Sequence, residues 1–197
     1  MPCAWTWNSC RVSRPNMIDW WRRAWKQRRE PAFGSGGDFS VLFVCTANVC
    51  RSPMAEALLR HRLRERGLAG QVAVDSCGTR VSPLRQRPDP RAGQVLRERG
   101  IESPLRRSRA LREVDFSVAD IILCMDRDNL EQARALCPGA AQERLGLVME
   151  QAPGVSLAEV PDPYYGNLEG FRRVADLLDP AIVGLLDRIE RWLREMA

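Results

Sequence analysis

The stretch Ser40-Val41-Leu42-Phe43-Val44-Cys45-Thr46-Ala47-Asn48-Val49-Cys50-Arg51-Ser52-Pro53 decides how this chain folds. Its first five residues form the kind of run that is buried on both faces of a parallel sheet. Ser52-Pro53 then opens a helix, with serine suited to the N-cap and proline to the first turn. Met54, Ala55, Leu58, Leu59 and Leu63 recur at helical spacing until Gly67. Between strand and helix, backbone N–H groups and the unpaired N–H groups of the first helical turn can converge on one anion.

Cys45 and Arg51 bracket that loop. A thiol beside a helix N-terminus and a guanidinium ionises readily, so Cys45 is expected to act as a thiolate without a histidine. Arg51 would hold two phosphoryl oxygens in a fork and steady the charge that builds during transfer. A lone cysteine after a buried strand is ordinarily a small core residue, and that reading suits Cys124. The combination of Cys45 with Asn48, Arg51 and Ser52-Pro53 points instead to a phosphate cradle. The Walker loop, with its glycines and lysine, does not match.

Outward from this unit, residues 71–75 read as a second strand, 76–88 as a loop and 89–99 as a helix closed by Gly100. Residues 119–125 read as a third buried strand, 128–136 as a helix and 145–149 as a fourth strand. A long loop spans 153–166. Residues 168–195 are helical, with a kink or break expected at Asp179-Pro180. The alternation predicts an α/β fold with a parallel sheet covered on both faces. In the long loop, Pro161-Asp162-Pro163-Tyr164-Tyr165 places a carboxylate between two stiffening prolines, and it contains the only tyrosines of the chain.

Composition narrows the function. The chain has 197 residues, a formal charge of +5 and arginine for nearly all its basic groups, Lys26 being the sole lysine. The arginines are dispersed, so no nucleic-acid partner is expected. Seven cysteines, at 3, 10, 45, 50, 77, 124 and 137, include no CxxC pair. They form neither a disulfide framework nor a structural zinc site, and no metal or cofactor is expected. With no signal peptide or membrane span in the sequence, a cytoplasmic location is expected. The single histidine, His61, lies among Arg60, Arg62 and Arg64 on a helix surface, which disfavours enzymes needing a histidine base.

Residues 1–38 differ from the rest. They hold five of the six tryptophans: Trp5, Trp7, Trp20, Trp21 and Trp25. Trp21 and Trp25 would share a face of a short basic helix, which could touch an anionic membrane surface. An isolated short helix is marginal, so a flexible extension with a glycine joint at 34–37 is the expectation, and the folded domain is placed at 39–197.

The residues from Val44 to Pro53 resemble the signature V-C-x-G-N-x-C-R-S-P of the low-molecular-weight protein tyrosine phosphatase family. The likeness runs from about residue 40 to 193, through Asp75-Ser76-Cys77-Gly78-Thr79, Asp120-Ile121-Ile122-Leu123-Cys124-Met125-Asp126 and Pro161-Asp162-Pro163-Tyr164-Tyr165-Gly166. It implies a three-layer, Rossmann-like phosphotyrosine phosphatase I fold with four parallel strands. By the same resemblance Cys45 is the nucleophile that forms a phosphocysteine, Arg51 binds phosphate, and Asp162 is the general acid and then base. Thr46, Ala47, Asn48, Val49, Cys50 and Ser52 line the phosphate site, while Ser76 and Asp126 support it. Tyr164 and Tyr165 wall a pocket deep enough to favour phosphotyrosine over phosphoserine. The resemblance also implies a reversible Cys45–Cys50 disulfide, and as partner a tyrosine-phosphorylated protein, such as a bacterial tyrosine kinase.

Three positions depart from the family pattern. Ala47 replaces the signature glycine, so its backbone must tolerate a Cβ at negative φ. Cys77 replaces an alanine, a mild change. Ser82 falls where an aromatic pocket wall is common, and Arg80, Arg85 and Arg87 nearby would favour acidic phosphopeptides. Two other functions compete. An arsenate reductase on the same fold would need further redox cysteines, and Cys124 and Cys137 are poorly spaced for that. A non-catalytic phosphate-binding protein would not need Cys45, Arg51 and Asp162 together.

Overall fold

The computed structural model describes residues 38–102 and 104–196. The expectations for residues 1–37 lie outside them. β1 (Phe39–Cys45) is buried at every position, as its apolar run requires, and forms the centre of the molecule. After α1 (Arg51–Glu65) and β2 (Val72–Gly78) come α2 (Pro90–Glu98), α3 (Glu113–Val118) and β3 (Ile121–Cys124). The chain continues through α4 (Arg127–Leu136), a 3-10 turn (Gly139–Arg144), β4 (Leu145–Leu147), a second 3-10 turn (Val148–Gln151) and α5 (Leu168–Met196).

The four strands form one parallel sheet in the order β2-β1-β3-β4. Successive residues of β1 point to opposite faces. Val41, Phe43 and Cys45 join the apolar cluster made by α1, α2 and α5, whereas Leu42 and Val44 join the one made by α3, α4 and β4. This is the expected three-layer α/β architecture. β1 and β3 sit where the strand order reverses, and the crevice beyond their carboxyl ends is where such sheets bind ligands.

Several boundaries differ from the sequence reading. β2 extends to Gly78 because pairing with β1 continues as far as Cys45. α1 begins at Arg51 with Cys50 as N-cap, so Ser52 is already in the first turn rather than capping it. Its hydroxyl has the Cys45 sulfur and the Cys77 carbonyl as acceptors instead. β4 is only three residues long, since the Glu150 carboxylate folds back to accept from the Leu147 N–H and turns the chain.

Pro180 does not break α5, which runs unbroken from Leu168 to Met196. Leu178, Ala181 and Ile182 flank the proline and are fully buried. Each large apolar side chain buried there contributes about 1.5–3 kcal/mol, which together outweighs the cost of about 3 kcal/mol for an interior proline.

Candidate active site

The loop between β1 and α1 wraps a concave site at the carboxyl edge of the sheet. Asn48 has φ 55, in the left-handed region that asparagine tolerates better than most residues. Its side chain fixes the loop: Nδ2 donates to Ser76 Oγ at 2.9 Å and Ser52 Oγ at 3.0 Å, and Oδ1 accepts from the Arg109 N–H at 2.9 Å. Ser76 in turn donates to the buried Glu56 carboxylate at 2.7 Å. Among the described residues only Asn48 and Arg85 are non-glycine residues at positive φ, so Ala47 carries its Cβ without strain. Glycine is needed instead at Gly78, where a Cβ would lie 2.6 Å from the Thr46 carbonyl oxygen and 2.9 Å from the Asn48 nitrogen.

Cys45 is buried at the base of the loop. Its sulfur accepts from the Ser52 hydroxyl at 3.0 Å and the Asn48 N–H at 3.2 Å. Both neighbours are donors, the pattern a sulfur anion calls for. The Cys50 thiol is different. Burial, then the negative charges of Asp89 and Cys45, push it up to about 12, so it stays protonated at neutral pH. Cys45 and Cys50 are both free thiols here.

Arg51 is 4% exposed and surrounded by acceptors. Nη1 donates to Asp126 Oδ2 at 2.5 Å and to the Val160 carbonyl at 3.1 Å. Nη2 donates to Thr46 Oγ1 at 3.2 Å and Asp162 Oδ2 at 3.0 Å. Burial works against its charge, but the negative groups at Cys45, Asp126 and Asp162 outweigh burial and hold its pKa above the usual value. Asp126 also caps α4 by accepting from the Asn129 N–H at 2.7 Å. Asn129 then donates to Thr46 Oγ1 at 3.0 Å, tying α4 to the loop.

Asp162 and the Arg51 it pairs with line a cleft of about 310 Å³ that also touches Cys45, Thr46, Val49 and Gln86. The Asp162 carboxylate is half exposed and accepts from the Tyr164 N–H at 3.1 Å. Tyr164 and Tyr165 meet edge to face, 5.0 Å between centroids, at the cleft mouth. Tyr165 is 97% exposed and forms a rim rather than a packed wall. Ser82 is not in the cleft lining, whereas Gln86 is. The loop carrying Asp162 is pinned by Arg91, which donates to the Tyr164 and Gly166 carbonyls at 2.9 and 2.6 Å while paired with Asp89. Asp89 itself donates its N–H to the Val49 carbonyl at 2.9 Å, so the three-residue span Asp89-Pro90-Arg91 braces both walls. Among the described residues no group of three or more His, Cys, Asp or Glu is placed to hold a metal ion, and no helix is long and apolar enough to cross a membrane.

The structure therefore brings Cys45, Thr46, Ala47, Val49, Cys50, Arg51, Asp162, Tyr164 and Tyr165 to one cleft, with Asn48, Ser52, Ser76 and Asp126 in direct support. A family model described as low molecular weight phosphotyrosine protein phosphatase matches residues 40–195. The chain belongs to that family. Among relatives, the low molecular weight phosphotyrosine protein phosphatase of Schizosaccharomyces pombe is 42% identical over 162 residues, spanning 81% of this chain and 98% of its own length. A crystal structure of the low molecular weight phosphotyrosine phosphatase VcLMWPTP-2 from Vibrio cholerae O395 superposes with a TM-score of 0.73 at 37% identity, covering 77% of this chain and 97% of that one. The YwlE arginine phosphatase, solved as a cysteine-to-serine mutant with phosphorylated active site serine, gives a TM-score of 0.68 at 30% identity, covering 77% of this chain and 96% of that one.

Within this phosphatase fold, sequence reasoning missed Arg109. Its guanidinium bonds Asp75 at 2.8 and 3.0 Å and Asp115 at 2.8 Å, and its backbone N–H holds Asn48. Burial works against its charge, but Cys77 and those carboxylates hold its pKa above the usual value. Replacing Arg109 by leucine removes the cationic partner of Asp75 and leaves Asp115 with Arg112 alone, 3.7 Å away. We expect a stability loss of about 3 kcal/mol, read as a lower urea midpoint at unchanged slope. An unchanged midpoint would show that the network does not brace the loop.

Proposed function

We propose that this chain hydrolyses phosphotyrosine in protein substrates through a phosphocysteine at Cys45. One observation carries the reading: two hydrogen-bond donors converge on the Cys45 sulfur in the same cleft where Arg51 holds Asp162 at 3.0 Å. The incoming phosphoryl dianion takes the Arg51 Nη2 face from Asp162, and the freed, half-exposed carboxylate takes up a proton from solvent and faces the leaving oxygen. The Cys45 thiolate attacks phosphorus and the bond to the phenolic oxygen breaks. Asp162 gives its proton to that oxygen. Asp162 then takes a proton from water, the water oxygen attacks phosphorus, and the Cys45 thiolate leaves with release of inorganic phosphate. Backbone N–H groups of the loop and the fork of Arg51 stabilise the charge on the transferring group in both steps. The phosphorylated serine of the YwlE mutant, in a relative of this fold, supports transfer to that position.

Tyrosine faces at the mouth and the apolar Ala47 and Val49 in the lining favour a flat aryl group. Cys124 and Cys137 are both buried, and burial raises both thiols, which gives no support to a redox relay of the arsenate reductase kind. A reducing cytoplasm suits the free nucleophile and the cysteine pattern.

The role of Asp162 has a specific signature. Asp162→Ala should lower kcat on phenyl phosphate by on the order of 10²–10⁴. The loss should be much smaller on p-nitrophenyl phosphate, whose leaving group needs little protonation. Equal losses on the two substrates would remove Asp162 from the proton-transfer step.

A further inference from the structure

Beside the catalytic cleft lies a larger groove of about 910 Å³ between α2 and the segment after it. Buried Leu96 and Ile101 and the half-buried Leu105 form its floor. Arg87, Arg97 and Arg107 line it and are exposed. The groove begins one residue from the cleft, since Gln86 lines the cleft and Arg87 the groove. Strips from the two sides run together there: Ser108 donates its N–H to the Gln86 carbonyl at 2.9 Å, and Arg107 Nη1 donates to the Arg85 carbonyl at 3.1 Å.

The charge balance of this groove is one-sided. Asp89 in its lining is already neutralised by Arg91, 2.7 Å away. That leaves Glu102 as the acidic side chain set against three guanidiniums. Among the described residues no carboxylate is within ion-pairing distance of Arg87, Arg97 or Arg107. Exposed Arg85 and Arg106 add to the same field. Arg80, by contrast, pairs with Asp128 and Gln132, so it adds less to this field than the unpaired arginines.

We propose that this groove binds an acidic segment of the protein substrate, adjacent to the phosphotyrosine held in the cleft. The proposal rests on the cleft being a phosphotyrosine site. An extended chain leaving the cleft past Gln86 enters the groove directly. Its Asp and Glu side chains meet the arginine forks, and its apolar side chains cover the half-buried Leu105. Such contacts are solvent-exposed and screened by salt, so they set selectivity and encounter rate more than tight binding.

The test compares phosphotyrosine peptides flanked by glutamates, by alanines or by lysines, with p-nitrophenyl phosphate as the reference substrate. For wild type, kcat/KM should fall from the glutamate to the lysine peptide by on the order of tenfold or more, and high salt should erase the difference. The triple variant Arg87→Glu, Arg97→Glu, Arg107→Glu should reverse the order. The triple glutamine variant should flatten it. Both should keep p-nitrophenyl phosphate turnover within about twofold, because these exposed arginines lie outside the cleft lining. Equal rates on the three peptides by wild type, with p-nitrophenyl phosphate still hydrolysed, overturn the groove assignment alone, as does a preference for acidic peptide that survives charge reversal. Absence of p-nitrophenyl phosphate turnover by wild type defeats the catalytic reading, and this proposal with it.

Discussion

Replacing Cys45 by serine is expected to abolish turnover of p-nitrophenyl phosphate, lowering kcat by on the order of 10⁵-fold or more, as loss of a nucleophile does in other covalent enzymes. The hydroxyl is nearly isosteric with the thiol, so the fold should be unaffected. What changes is the proposed nucleophile. The groups that touch the sulfur are the Ser52 hydroxyl and the Asn48 N–H, and both donate. Neither can take a proton from a serine, so the alkoxide has no route to form. A sulfur anion, in contrast, needs donors and has them. Steady-state kinetics checks the rate, and urea unfolding checks that stability is retained. Serine enzyme of wild-type stability that still turned over at more than a hundredth of the wild-type rate would show that another group attacks phosphorus.

Arg51 carries the second large effect. Arg51→Lys keeps a positive charge but loses the planar fork, and kcat/KM should drop by on the order of 10³-fold, since removal of even one donor to a developing oxyanion costs about 10²–10³. The substitution also removes the Nη1 hydrogen bonds to Asp126 and the Val160 carbonyl, so assays belong at a temperature where circular dichroism shows the variant folded. A folded lysine variant with kcat/KM within tenfold of wild type would mean that charge alone suffices and that bidentate geometry plays no part.

The parts of this molecule written in contiguous sequence were legible before the structure. The apolar run of β1, the loop that follows and the periodic face of α1 sit within one short stretch, and each has a local physical signature. The same is true of α2, where Asp89 caps the helix and Pro90 occupies its first turn. What was not legible depends on partners far along the chain. Ser52 has the side chain of an N-cap, but the Cys45 sulfur and the Cys77 carbonyl compete for its hydroxyl, and the cap falls to Cys50. Pro180 carries the local signal of a helix break, which the buried face of α5 overrides.

Supporting residues were hidden for a related reason. Asn129 reaches Thr46 across 83 positions and Arg109 reaches Asp75 across 34, separations at which a polar residue in isolation reads as solvated surface. A partial signal existed for Asn129: an aspartate three residues before it, at Asp126, is the pattern of a helix cap that accepts from its own backbone N–H. Nothing of the kind marked Arg109, whose importance lies in two carboxylates contributed by β2 and α3, the second of them buried. Gly78 was visible as a glycine, but only the approach of the Thr46 carbonyl explains why no larger residue fits.

Trapping the enzyme during turnover examines the covalent step itself. Wild-type protein mixed with excess p-nitrophenyl phosphate, stopped by rapid denaturing quench and mapped by peptide mass spectrometry, should carry a single phosphoryl group on the peptide containing Cys45, confined to that sulfur. Turnover with Cys45 unmodified at every quench time, or with the phosphoryl group on a different side chain, would contradict the account.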